Sequence, residues 1–199
     1  MTASNQSAST RAAPFPPVVL IGAPGAGKTT VGAALAARLG VGFTDTDAIV
    51  EAAAGKPVSD IFVTDGEPEF RRLERAAVAA ALAPGTGAAG PRIVGLGGGA
   101  VMDEDTQARL AGQRVVYLET GFAELAKRVG LDRARPLLIG TNPRAQLKAL
   151  LEQRLPVYGR LAWLTVSTDG REPDEIAAEI AVAIEDGAIE GGAIEGGGR

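Results

Sequence analysis

Apolar and polar positions follow two different periods along this chain, and each change of period marks out an element. Val18 to Ile21 is an unbroken aliphatic run between Pro17 and Gly22, which predicts a short buried strand. From Lys28 to Leu39 the period lengthens, with Val31, Leu35 and Leu39 at helical spacing in an alanine-rich stretch. Gly40 to Thr44 predicts a turn and a second strand leading into Asp45 and Asp47. A helix over Ala48 to Ala54 follows and ends at Gly55-Lys56-Pro57. Ser59 can cap a helical turn through Phe62. Gly66-Glu67-Pro68 then opens a long helix, Pro68 to Leu82, with proline in its favoured first turn. Three further strands are predicted at Arg92–Leu96, Val115–Leu118 and Trp163–Val166. Helical patterns cover Asp103–Leu110, Phe122–Arg128, Pro143–Leu155 and Pro173–Glu185. Strands alternating with helices imply an α/β layer fold on a parallel sheet.

Other stretches lack a period. Residues 1–16 are polar and then proline-bearing, without the apolar core of a leader peptide, and are expected to be a disordered tail. Ala83 to Pro91 is a Pro/Gly/Thr-rich loop. Gly130 to Thr141 is arginine-rich and poorly periodic, which predicts a mobile loop. From residue 188 the chain repeats a short Ala-Ile-Glu-Gly unit that cannot bury a core, so a disordered tail is expected over 188–199. The folded domain is therefore expected over 17–187. No apolar run approaches the ~20 residues of a membrane-spanning helix. The chain reads as a cytoplasmic protein with no membrane partner.

Composition narrows the chemistry. The 199 residues fit one domain with a real core. A net charge of −4 argues against a nucleic-acid partner. Cysteine and histidine are both absent, which excludes disulfides, thiolate or imidazole metal sites, cysteine nucleophiles and histidine triads. What remains is Asp, Glu, Lys, Arg, hydroxyls, backbone amides and a hard metal.

Gly22-Ala23-Pro24-Gly25-Ala26-Gly27-Lys28-Thr29 matches G-x-x-x-x-G-K-[ST] without a substitution, between a predicted strand and a predicted helix. The glycines let successive N–H groups turn inward on phosphate oxygens, and the helix start adds its positive end. Lys28 is expected to reach the β- and γ-phosphates, and the Thr29 hydroxyl to ligate Mg²⁺. A GTPase switch is disfavoured, because neither Asn5 nor Asn142 sits in an N-K-x-D setting.

Three other segments suggest an acceptor site. Asp45-Thr46-Asp47 falls at the carboxyl end of the second strand, on the sheet edge where ligands bind in such folds. Its two carboxylates point to one side of an extended segment. One could hold Mg²⁺ through water and the other an acceptor hydroxyl, or one could simply cap the next helix. On the long helix, Arg71, Glu74 and Arg75 share a face, while Arg71 and Arg72 diverge by about 100°, so at most one of that pair enters a pocket. Gly97-Gly98-Gly99 follows a strand and costs about 0.5–1 kcal/mol per glycine relative to alanine, which disfavours a passive turn.

Taken in order, these segments resemble the shikimate kinases from Val18 to Glu185. Asp60-Ile61-Phe62, Phe70-Arg71-Arg72-Leu73-Glu74, Leu96-Gly97-Gly98-Gly99-Ala100, Arg135-Pro136-Leu137-Leu138 and Arg154-Leu155-Pro156-Val157-Tyr158 carry the likeness beside the phosphate loop. The resemblance implies a P-loop, nucleoside-monophosphate-kinase-like three-layer α/β fold, with a five-stranded parallel sheet and a mobile lid at about 130–141. It implies transfer of the ATP γ-phosphoryl to the 3-hydroxyl of shikimate, in aromatic amino-acid biosynthesis, with one Mg²⁺ and a monomeric enzyme. By that likeness Gly25, Ala26, Gly27, Lys28, Thr29, Thr30 and Arg135 bind ATP, with Arg128 and Arg171 flanking adenine. Arg71 and Arg154 clamp the substrate carboxylate, a task suited to the guanidinium fork. Asp47 holds the ring hydroxyls and accepts the proton. Gly97, Gly98 and Gly99 line the substrate site, with Gly98 as amide donor. Thr29 and Asp45 place the metal, and Lys28, Asp47 and Arg135 are the catalytic groups. The rivals are an adenylate or gluconate kinase on the same core, and an ATP-binding regulatory protein without turnover.

Overall fold

Val18–Ile21 is buried along its whole length because this strand, β1, lies at the centre of the sheet. The computed structural model describes residues 17–83, 92–129 and 143–192. β1 is flanked by β3 (Arg92–Gly95) and β4 (Arg114–Glu119), with β2 (Gly42–Asp45) beyond β3 and β5 (Leu164–Ser167) beyond β4. All four pairings are parallel, with Leu20 opposite Gly95 and Val116. A strand covered on both faces needs apolar residues at every position, which the run supplies. Val18 and Leu20 face one layer, and Val19 and Ile21 the other.

The helices fill those two layers. α1 (Lys28–Leu39) and α8 (Pro173–Gly192) pack together on the Leu20 face through Val31, Leu35, Ile176 and Ile180. α4 (Gly66–Leu82) and α7 (Pro143–Leu161) cover the Ile21 face through Val78, Leu82 and Tyr158. α2 (Thr46–Ala54) and α3 (Val58–Thr64) form a satellite cluster on α4, built on Val50, Ile61 and Phe70. A 3₁₀ turn (Ala100–Met102) and α5 (Glu104–Leu110) lead from β3 to β4, and α6 (Phe122–Val129) follows β4. No helix among the described residues is long and apolar enough to cross a membrane. The expected five-stranded parallel α/β sandwich is the observed fold.

Most elements start or end within two residues of expectation, and three boundaries are of note. α2 starts at Thr46 rather than Ala48, because the Asp45 carboxylate caps it by accepting from the Asp47 N–H at 3.0 Å. α7 was expected to end at Leu155, ahead of Pro156, yet it continues to Leu161. An interior proline costs about 3 kcal/mol, which is opposed here by what the extra turn buries. Tyr158 is fully buried, stacks on Tyr117 at 5.1 Å and bonds to the Gly98 carbonyl. α8 runs to Gly192, past the expected helix end at Glu185 and into the stretch expected to be disordered. Residues 1–16 and 193–199, the Pro/Gly-rich loop over 84–91, and the lid expected over 130–141 lie outside the described residues.

Candidate active site

The carboxyl ends of β1, β2 and β3 open onto one cavity of about 810 Å³. Its floor is the turn after β1. Gly25 and Gly27 take φ of 89° and 91°, left-handed values that side-chain-bearing residues rarely adopt, and Gly27 caps α1. The Lys28 ammonium donates to the carbonyls of Gly22 and Ala23, both at 3.0 Å, so its tip lies against the loop itself. Thr29 donates its hydroxyl to Asp45 Oδ2 at 2.7 Å, while Asp45 Oδ1 caps α2. The helix-capping use is thus observed at Asp45 Oδ1, while Oδ2 faces the Thr29 hydroxyl. Thr29 and Asp45 bring two hard oxygen donors together at the end of the phosphate loop. No cluster of three or more acidic residues occurs among the described residues. Such a set suits a divalent ion carried mainly by phosphate and water, the habit of Mg²⁺.

The three consecutive glycines form the opposite wall, and each has a different neighbour. A Cβ on Gly97 would fall 2.6 Å from Asp47 Oδ1 and 2.8 Å from Glu74 Oε1, so two carboxylates converge on that backbone. A Cβ on Gly98 would strike Pro24 Cδ at 2.6 Å, which seats this wall directly against the phosphate loop. On Gly99 it would meet Arg71 Nη1 at 2.7 Å and Arg154 Nη2 at 3.2 Å. A side chain at any of the three positions would force one of these groups to shift. The Gly97 N–H is held by the buried Thr46 hydroxyl at 3.0 Å, and Tyr158 donates to the Gly98 carbonyl at 2.6 Å. The phenol is pushed up to about 12 by burial, so it stays a donor.

Electrostatics at this wall are unequal. Arg71 Nη1 pairs with Glu74 at 2.6 Å and its Nη2 with Glu67 at 3.1 Å. Arg154 is only 6% exposed, and its Nη1 is buried with no hydrogen-bond partner among the described residues. A buried guanidinium nitrogen without a partner is costly, and an incoming carboxylate relieves that cost. Burial raises the Glu74 carboxyl above its usual 4.5, against the pull of the Arg71 charge.

Further out, the cavity is bordered by Arg128, Arg171, Pro173 and Ile176. Arg171 is held by the Ser167 carbonyl at 3.0 Å and by Glu179 at 2.7 Å. Of the residues singled out in the sequence, the structure brings Gly25, Ala26, Gly27, Lys28, Thr29, Thr30, Asp45, Asp47, Arg71, Gly97, Gly98, Gly99, Arg128, Arg154 and Arg171 to this one cavity. Arg135 lies outside the described residues. Arg72 turns away to Glu69, and Arg75 reaches Asp103 at 3.7 Å instead of joining Arg71.

Three contributors were not picked out from the sequence as site residues: Glu74, Thr46 and Tyr158. Glu74 had a signal, its place three residues after Arg71 on one helix face. Thr46 and Tyr158 act across 51 and 60 residues of chain, which no local pattern reports.

Comparison with known proteins now bears on this geometry. A family model described as shikimate kinase matches residues 24–185. A shikimate kinase of Thermobifida fusca is 64% identical over 83% of this chain and 93% of its own length. One from Salinispora arenicola is 55% identical over 85% of this chain and 98% of its own. Among solved structures, the shikimate kinase from Acinetobacter baumannii in complex with shikimate superposes with a TM-score of 0.78 at 32% identity, covering 87% of this chain and 94% of that one.

Proposed function

The chain belongs to the shikimate kinase family, and from that premise we propose that it transfers the γ-phosphoryl group of ATP to the 3-hydroxyl of shikimate, giving shikimate 3-phosphate and ADP. The reaction is a step of aromatic amino-acid biosynthesis. The observation that carries the reading is the join between two anion sites. A phosphate cradle and a pair of converging guanidiniums, one with an unpartnered buried nitrogen, share one cavity and touch through Pro24 and Gly98.

The division of labour follows from charge. Backbone N–H groups of the phosphate loop, with Lys28, take the β- and γ-phosphates. For this the Lys28 ammonium leaves the Gly22 and Ala23 carbonyls and turns to the stronger anion. Arg71 and Arg154 take the substrate carboxylate at Gly99, which fixes the ring by that group. Asp47, beside Gly97, accepts the hydrogen bond of the attacking hydroxyl and then its proton. Thr29 and Asp45 would hold one Mg²⁺ brought by the nucleotide. That ion supplies neutralisation of charge on the phosphates. Phosphoryl transfer asks chiefly for positioning and charge stabilisation, so a chain without histidine or cysteine is adequate.

Product analysis tests this reading. After incubation with ATP, Mg²⁺ and shikimate, phosphorus-to-proton coupling should place the new phosphate on the ring carbon bearing the 3-hydroxyl. Phosphate on another carbon would overturn the assignment of Asp47, and inorganic phosphate alone would overturn the activity.

A further inference from the structure

Behind Arg128, which borders the outer end of the cavity, lies a polar network that the chemistry above does not use. Resting on the reading of that end as the nucleotide-base site, we propose that the buried hydroxyl pair of Thr120 and Thr168 positions Arg128, and through it sets the affinity for the nucleotide. Thr120 directly follows β4 and Thr168 directly follows β5. Thr168 is fully buried and Thr120 nearly so, and their Oγ1 atoms lie 2.7 Å apart. The Thr168 N–H donates to the Glu119 carbonyl at 2.8 Å, and the Gly121 N–H donates to both oxygens of Asp169 at 3.0 and 3.1 Å. A Cβ on Gly121 would fall 2.5 Å from Asp169 Oδ2, so a side chain there would push the Asp169 carboxylate out of this junction. The two strand exits are thereby locked to each other.

Arg128 hangs from that lock. Its Nε donates to Glu124 at 2.9 Å, Nη1 to Thr168 Oγ1 at 3.3 Å and Nη2 to the Thr168 carbonyl at 2.9 Å. Each of the three nitrogens makes one of these bonds, using three of the five N–H groups and fixing the plane of the guanidinium. A guanidinium anchored in this way suits stacking of its flat face on a planar base. The Thr168 hydroxyl has one proton and two lone pairs, and Arg128 can only donate to it. One lone pair therefore serves Arg128, and the hydroxyl pair fixes where that lone pair points. A hydroxyl pair that merely satisfied two buried polar groups would affect stability alone.

Thr168→Val keeps the shape and removes the acceptor, while Thr168→Ser keeps the acceptor. The first readout is binding of MgADP by titration calorimetry, which requires no acceptor substrate. Thr168→Val should weaken MgADP about fivefold, the equivalent of one net hydrogen bond. The KM for ATP should rise by the same factor, with kcat and the shikimate KM within about twofold of the parent. Thr168→Ser should restore nucleotide affinity. MgADP binding unchanged in Thr168→Val overturns the proposal. So does an equal loss of both KM values with a lowered Tm, which marks a purely structural pair. A parent chain that binds no MgADP removes the nucleotide reading itself, and that failure is visible before any variant is made.

Discussion

Gly97→Ala is the most informative single perturbation, because it inserts one methyl group between two carboxylates without straining the backbone. The added Cβ would stand 2.6 Å from Asp47 Oδ1 and 2.8 Å from Glu74 Oε1, where ordinary contact begins at 3.4 Å. The carboxylates must each retreat by about 0.6–0.8 Å, and a misplacement of about 1 Å at a reacting group costs roughly 10²-fold in rate. Stability should suffer less, by about 1–3 kcal/mol for an overpacked site. The three atoms nearest to the added Cβ belong to Asp47 and Glu74 and none to the phosphate loop, so MgADP affinity should hold. The assay is coupled ADP release with saturating shikimate, beside calorimetric titration of MgADP. A kcat within about twofold of the parent would refute the reasoning, since it would leave Asp47 free to move without consequence. A loss of nucleotide binding would refute it too, by showing that the wall and the loop are not separable.

Further predictions address the other groups. Asp47→Asn should leave MgADP affinity nearly intact and lower kcat by orders of magnitude, checked by the same two assays. Arg71→Lys should raise the shikimate KM strongly, because a point charge replaces a bidentate fork; an unchanged KM would return Arg71 to a surface role. Tyr158→Phe removes the donor to the Gly98 carbonyl and should cost about 1 kcal/mol of stability in urea unfolding. The raised carboxyl of Glu74 predicts a pH dependence without substrate. A carboxyl raised in the folded state favours folding while protonated, so that contribution is complete below 4.5 and is lost as pH rises through the raised value. Tm followed upward from pH 4.5 should therefore fall less in Glu74→Gln than in the parent, and equal slopes would contradict this.

What could be read from the chain followed the range of each signal. The phosphate loop is a run of consecutive residues whose function depends on their own backbone, so Gly22 to Thr29 could be placed before any tertiary contact was known. The choice between Arg71 and Arg72 followed from helix geometry as a statement that at most one is turned inward, and Arg71 is the one, with its side chain 26% exposed against 60% for Arg72. Glu74 was less accessible, because a carboxylate three residues from an arginine is usually a solvated pair, and only packing reveals that this one is 3% exposed. The run Gly97-Gly98-Gly99 could be read as a close approach, but not that its five neighbours would be two carboxylates, a proline and two guanidiniums. Those neighbours arrive from α2, α4, α7 and the phosphate loop, and no local pattern specifies them together. Pro156 misled for the same reason. Its local cost is visible in the sequence, whereas the burial of Tyr158 that outweighs it is not.

The most direct test of the account is ADP release with ATP and Mg²⁺, measured in parallel with shikimate, gluconate, AMP and no acceptor. Turnover with shikimate alone is the predicted result, since AMP has no carboxylate for the two guanidiniums and gluconate, an open-chain acid, has no ring to hold a hydroxyl at Asp47. Turnover with gluconate or AMP instead, or ADP release indifferent to the acceptor, would contradict it.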